Sequence, residues 1–258
     1  MKQQNQHFTA IVIGENHKEL IKKYGSFEVE PYITAEYNKA DEYKKQRLIA
    51  LNIAKQYKEK EEIGKDEVFS LDYDKEIERI KKLDPTDFYL EIGDEHDDWY
   101  MDEETGNYLS KLNPNKKYDA ANVGKSLSMP LILKDGSESF SEKKCNIDWG
   151  KTHLNEKEVY EDTWDMIMCG KTPETELQKQ IYENMQGRYE YFKYFGTKEN
   201  YVASSTAFWG YAYVDENGWK DFDDSELDQT KWIIKFYDNF IKPLPEDVII
   251  TVYECFRK

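Results

Sequence analysis

The chain is short of the residues that most catalytic and metal-binding chemistries require. Its 258 residues include 4 histidines and 3 cysteines. Cys145, Cys169 and Cys255 are odd in number, widely spaced and form no CxxC pair, which excludes a zinc ribbon and a dithiol redox motif. Unpaired thiols of this kind suit a reducing cytoplasm. Long apolar runs are missing as well. The run near the start, Phe8 to Ile13, covers six residues, too few for the core of a signal peptide and far short of a membrane span. Basic charge is also scarce: 36 Lys and Arg stand against 52 Asp and Glu, a formal charge of −16. A nucleic-acid binder needs a cationic face to neutralise phosphates, so direct nucleic-acid binding is disfavoured. A surplus of acid fits solubility, a partner with a basic surface, or imitation of nucleic acid.

What the chain does have is aromatic and apolar mass, 15% and 39% of residues, enough for a sizeable core. Phe8–Ile13 is a β-branched run stopped by Gly14 and predicts a buried strand, followed by a short helix over residues 17–23. Phe27, Val29 and Pro31 suggest an edge strand, because proline cannot donate to a ladder. Three- and four-residue spacing of Tyr43, Arg47, Ala50, Leu51, Ala54 and Tyr57 predicts a long helix from about Ala35 to Glu62, and Asp72–Leu83 a second. Met129–Leu133 reads as a strand, residues 137–152 as irregular, residues 155–168 as a helix, and Thr172-Pro173 as the start of a long helix to about Tyr194. Near the end, Thr206–Val214 reads as a strand, residues 215–218 as a hairpin turn and residues 219–222 as the return. Ser225 then caps a helix and Val248–Phe256 forms a final strand. The expected class is α+β: an antiparallel sheet formed by segments 1–35 and 201–258, with a helical and hairpin insertion over 36–200.

Four constellations invite a chemical reading. Val123-Gly124-Lys125-Ser126 ends like a phosphate-binding loop, but Asp119 occupies the first glycine position and a turn, not a strand, precedes it. His7-Phe8-Thr9 has the HxT form used in pairs by two-histidine phosphoesterases; no second copy exists, so a structural histidine is the simpler reading. Between Lys82 and Lys111 there is no Lys or Arg, and Asp94, Asp97 and Asp98 lie beside Trp99 in a predicted acidic hairpin with its turn at residues 104–107. These acids lack the glycine and glutamate spacing of a calcium loop and read first as an exposed acidic face, then as a partner patch. Among the aromatics, Trp209, Trp219 and Trp232 are expected in the core, whereas Trp99, Tyr118, Trp149 and Tyr189 lie in polar, turn-rich surroundings suited to stacking or an interface.

Three stretches together resemble a family of functionally uncharacterised proteins of tailed bacteriophages. His7 to Gly14 (HFTAIVIG) resembles the family opening HFTxLVIG. NPNKKYDAANVGKSL resembles NPxxKWDWWxxGGRW, and Phe208-Trp209-Gly210 with the later LPED and TVYEC resembles FWG…LPxDTLLTVVDC. Lys117, Asp119 and Gly124 match that pattern, Tyr118 replaces a tryptophan, and Ala120, Ala121, Lys125, Ser126 and Leu127 depart from it. The resemblance implies a phage protein acting in the cytoplasm of a bacterial host and brings no catalytic assignment.

The leading expectation is therefore an accessory binding protein that engages and inhibits a host protein, one serving anti-phage defence, without catalysis, cofactor or membrane. An alternative is sequestration of a small nucleotide near Lys116, Lys117, Tyr118 and Lys125, with Asp119 beside them a candidate ligand or partner contact. A third is a metal-dependent hydrolase of nucleotides or nucleic acid built on the acidic hairpin.

Overall fold

The structure, a computed structural model, describes residues 6–60, 72–124, 129–153, 157–185, 194–225 and 227–257. Lys125, Ser126 and Leu127 of the phosphate-loop lookalike lie outside the described residues, as do Asn155, Tyr189 and Glu62. The fold is α+β. It comprises two compact units, Met1–Ser26 with Asn115–Lys258, and Phe27–Pro114.

The first unit is organised on a six-stranded sheet in which β1 (Gln6–Ile13) lies between β11 (Ile249–Arg257) and β9 (Ala212–Asp215). β1 and β11 pair antiparallel over their whole length, from Gln6 opposite Arg257 to Ile13 opposite Ile250. Alternation along the two strands sends Ile11, Ile13, Ile250 and Val252 to one face and Ala10, Val12, Tyr253 and Cys255 to the other, and both faces carry buried cores. Cover on both sides is why these strands read as near-continuous apolar runs. β10 (Gly218–Asp221) forms a hairpin with β9; Gly218 takes φ of +128°, a conformation that favours glycine. The expected antiparallel sheet is in fact mixed, because β9 runs parallel to β1. β5 (Ala120–Val123) and β8 (Ser141–Lys143) extend the sheet by pairing with β11, so the stretch after Asn115 belongs with the sheet and not with an insertion. The strand expected over Met129–Leu133 contains β6 (Leu131–Ile132), which pairs with β7 (Glu138–Ser139); β7, β8 and a short helix at Trp149–Thr152 lie in the segment expected to be irregular.

Helices complete this unit. Gln229–Phe236 buries Trp232, Ile233 and Phe236 and is capped by Asp228, which accepts from the Lys231 amide at 2.9 Å, in place of the expected Ser225. Behind it, the buried Lys144 directs Nζ to the carbonyls of Lys242 (3.1 Å) and Leu244 (2.6 Å) and to Glu246 (2.9 Å), fixing the proline-punctuated turn into β11. The stretch expected as one strand over 206–214 is split. Thr197 caps a helix, Lys198–Thr206, which packs Tyr201 and Val202 against Trp164 and Ile167 of the helix Lys157–Cys169. Within the expected long helix over 172–194, the described part spans Glu176–Met185, and Thr175 rather than Thr172 accepts from the Gln178 amide.

In the second unit the edge strand expected at Pro31 exists as β2 (Glu28–Ala35), with a register shift between Glu28 and Tyr32. It pairs with β4 (Tyr108–Leu112), which in turn pairs with β3 (Trp99–Met101). The β3–β4 turn is tied by Asp102, whose Oδ1 accepts from the Glu104 and Thr105 amides. Three helices, Ala40–Lys60, Tyr73–Lys82 and Pro85–Asp94, bury Leu51, Ile77, Ile80 and Phe88. Tyr89, fully buried, donates to the Ala35 carbonyl (2.9 Å) and accepts from the Tyr108 amide (3.1 Å), joining helix and strands.

Two substitutions test these packings. Tyr89→Phe leaves buried backbone groups without a partner and is expected to lower stability by about 1–3 kcal/mol in urea unfolding. At Gly210, an added Cβ would sit 2.7 Å from Ile11 Cγ1 and 2.9 Å from the Ala212 carbonyl. Gly210→Ala is accordingly expected to cost about 1–3 kcal/mol by the same measurement, without loss of secondary structure by circular dichroism.

Candidate functional site

The residues singled out in the sequence fall into two groups. In the first unit, Lys116 pairs with Asp119 at 2.6 Å, and Lys117 Nζ lies 3.2 Å from both Asp221 Oδ2 and Asp224 Oδ2. Tyr118 is not the open stacking ring its turn-rich surroundings suggest. It is 6% exposed, its hydroxyl donates to the Ile21 carbonyl at 2.8 Å, and burial first, with Cys255 and Tyr253 adding, pushes its phenol well above the ordinary range. The backbone is tied too: the Lys117 amide donates to Tyr24, its carbonyl accepts from Arg257 Nε, and the Asp119 amide donates to Phe256. Residues 116–119 thus form a clasp across three parts of the first unit, with both lysines matched by internal carboxylates.

Asp94, Asp97, Asp98 and Trp99 belong to the second unit. Trp99 stacks on His96, with ring centroids 3.9 Å apart, and lies 6.0 Å from Tyr108. Asp98 accepts from Ser110 Oγ at 2.9 Å and, with Glu28, Tyr100 and Lys111, lines a depression of about 380 Å³. Among the described residues no three His, Cys, Asp or Glu side chains converge as a metal site would need.

A different place carries the features of a binding site. A cavity of about 440 Å³ opens beside the start of β1, lined by His7, Phe8, Thr9, Met129, Phe208, Trp209, Tyr211, Gln229 and Val252. Strand alternation explains the polar side of it. On β11, Glu254 has the same facing as Val252 and lies opposite Thr9 in register. Glu254 is 2% exposed; its Oε1 accepts from His7 Nδ1 at 3.1 Å, and its Oε2 has no hydrogen-bond partner among the described residues. Where the carboxylate accepts, Nδ1 carries the hydrogen, and in the neutral imidazole Nε2 is the nitrogen left for a ligand. His7 remains 38% exposed at the side chain, and its ring meets Phe256 edge-on at 4.3 Å.

The aromatic side is held by its own contacts. The Phe208 amide donates to His153 Nδ1 at 3.1 Å, and His153 stacks on Tyr237 at 4.2 Å. Burial holds the His153 imidazole below its ordinary value despite Asp238, which keeps that nitrogen an acceptor. Trp232 Nε1 donates to the Gly210 carbonyl at 2.9 Å, so both ends of Phe208-Trp209-Gly210 are fixed. Trp209, expected in the core, is half-buried at the cavity wall. Trp149 packs against Phe208 and Tyr237, at 5.6 and 5.1 Å between centroids. The neighbouring Cys255 is no nucleophile: burial, with Glu254 adding, pushes its thiol up to about 12. The residue missed in the sequence is Glu254, and its signal was present, since it is the sole charged residue in the apolar stretch 248–256.

The clasp makes a prediction about acid stability. Burial opposes ionisation of Asp221, but the Asp224 amide, the Trp219 indole N–H and the Lys117 ammonium outweigh it and hold the carboxyl below its ordinary value. A carboxyl lowered by folding stabilises the protein above its unfolded value of about 3.9 and loses that contribution as pH falls through the folded value. Stability should therefore fall below about pH 5, with Asp221→Asn costing about 1–3 kcal/mol at pH 7 and flattening this acid limb in urea unfolding.

Among the described residues no helix is long and apolar enough to cross a membrane. No known protein family, curated protein or solved structure matches this chain.

Proposed function

We propose that this chain is a phage-encoded accessory protein that acts by binding a host protein, one serving anti-phage defence, with the His7–Glu254 cavity as the seat of recognition. The observation that carries this reading is the cavity's construction: aromatic walls held in place from behind, beside His7, whose ring bonds a buried carboxylate with no donor to its second oxygen among the described residues. Preformed concave sites of a few hundred Å³ with few convergent polar groups are the common form of binding sites. The phage and host part of the reading rests on the sequence resemblance; the surplus of 52 acids over 36 bases supports a partner with a basic surface. His7-Phe8-Thr9, Phe208-Trp209-Gly210 and Val252 within TVYEC all line this cavity, so segments carrying the resemblance meet there. Affinity purification from a bacterial lysate tests it. A host protein should be enriched by the wild type and reduced at least tenfold by Trp209→Ala, since interface aromatics commonly carry more than about 1.4 kcal/mol. Enrichment of nothing, together with no protection of phage in defence-carrying cells, would defeat the proposal.

Sequestration of a small nucleotide remains the second reading, and the aromatic walls favour it at this cavity over Lys116 and Lys117, whose charges are already matched. A nucleotide at about 100 times its dissociation constant should add about 2.7 kcal/mol of stability, visible as a thermal shift.

A further inference from the structure

We propose that the occupant of the cavity is a guanidinium group, presented as an arginine side chain by the partner; this deepens the binding reading above and rests on it. Three observations converge on a planar cation. First, the Glu254 carboxylate is buried with a single hydrogen bond, from His7, and its Oε2 is without a donor among the described residues. Glu254 does not itself line the cavity; it bonds His7, which does, so a cation at the cavity is favoured through the field of that buried charge. Second, with Nδ1 bonded to Glu254, Nε2 of the neutral His7 imidazole is an acceptor at the cavity wall, which suits an N–H donor. Third, no Lys or Arg is among the described residues that line the cavity, while aromatic rings do. Two of these rings, Phe8 and Tyr211, are taken by a guanidinium of the chain itself, which leaves Phe208 and Trp209 for a second. Arg257 lies over Phe8 at 5.3 Å and Tyr211 at 6.0 Å, and its own charge is met by Asp223 at 3.9 Å, not by Glu254. Guanidinium stacks on aromatic faces and donates in its plane, a combination ammonium does not offer.

Nuclear magnetic resonance titration of the full-length protein with acetyl-Gly-Arg-Gly-amide, and separately with its citrulline counterpart, tests the class of ligand. The arginine peptide should give saturable shifts centred on residues 7–9, 208–211 and 252–254, with the citrulline peptide at least about tenfold weaker because the shape is kept and the charge removed. Glu254→Gln and His7→Asn should each weaken the arginine peptide about tenfold; asparagine can still donate to Glu254 but lacks Nε2. Equal binding of the two peptides by the wild type, which involves no variant, overturns the proposal, as do shifts centred elsewhere or unchanged affinity in both variants. The two readings fail separately. If the arginine peptide does not bind while Trp209→Ala still abolishes capture of a host protein, the guanidinium is wrong and the cavity stands. If the peptide binds but capture survives both Trp209→Ala and excess peptide, the cavity is a guanidinium site and the host protein docks elsewhere.

Discussion

The first unit depends on one interaction, the eight-residue antiparallel pairing of β1 with β11. Each strand is a partner of the other and a wall for both cores, so Ile11, Val12, Ile250 and Val252 are each 0–1% exposed. Full burial of side chains of this size contributes roughly 1.5–3 kcal/mol apiece. The Lys117–Asp224 pair, 31% and 69% exposed at its side chains, belongs to a class worth about 1 kcal/mol or less. The hydrophobic pairing therefore sets the fold, and the charged clasp decides how loops are held onto it.

That ordering explains why polar groups could be placed at the end of the sheet. The apolar register on Ile11 and Val252 fixes Thr9 opposite Glu254 and His7 opposite Phe256. A carboxylate that would be costly on its own is held there by strands whose energy comes from elsewhere along their length. The aromatic half of the cavity is fixed by independent means, the His153 acceptor behind Phe208 and the Trp232 indole at Gly210. Site residues from three distant parts of the chain thus owe their positions to contacts outside the site.

Much of this was legible in the residues. Strands with apolar β-branched runs, β1 and β11, stand out by composition, and the acidic hairpin and proline-marked edge strand by their turn chemistry. What escaped was decided by tertiary pairing. β5 and β8 are short, with small or polar residues, and become strands because β11 offers an edge to them. Of the strand expected over Thr206–Val214, only Ala212 to Val214 pair in the sheet, while Thr206 ends the helix Lys198–Thr206, which packs on Trp164 and Ile167. Tyr118 sits among turn residues in sequence and inside a core in space. The site was the least legible part, since His7 gains a role only from Glu254, 247 residues away. A single acid in an apolar strand was the trace it left.

Separation of that size has a kinetic consequence. During synthesis β1 emerges first among these sheet strands, and the residues from Ile13 to Ile249 must follow before β11 can pair with it. Contacts between residues so distant in sequence form slowly, because loop closure precedes any gain. The helices and hairpin of Phe27–Pro114 have their partners close at hand and can fold while β1 is still unpaired. For that interval β1 is an apolar strand with both edges open, a form prone to association.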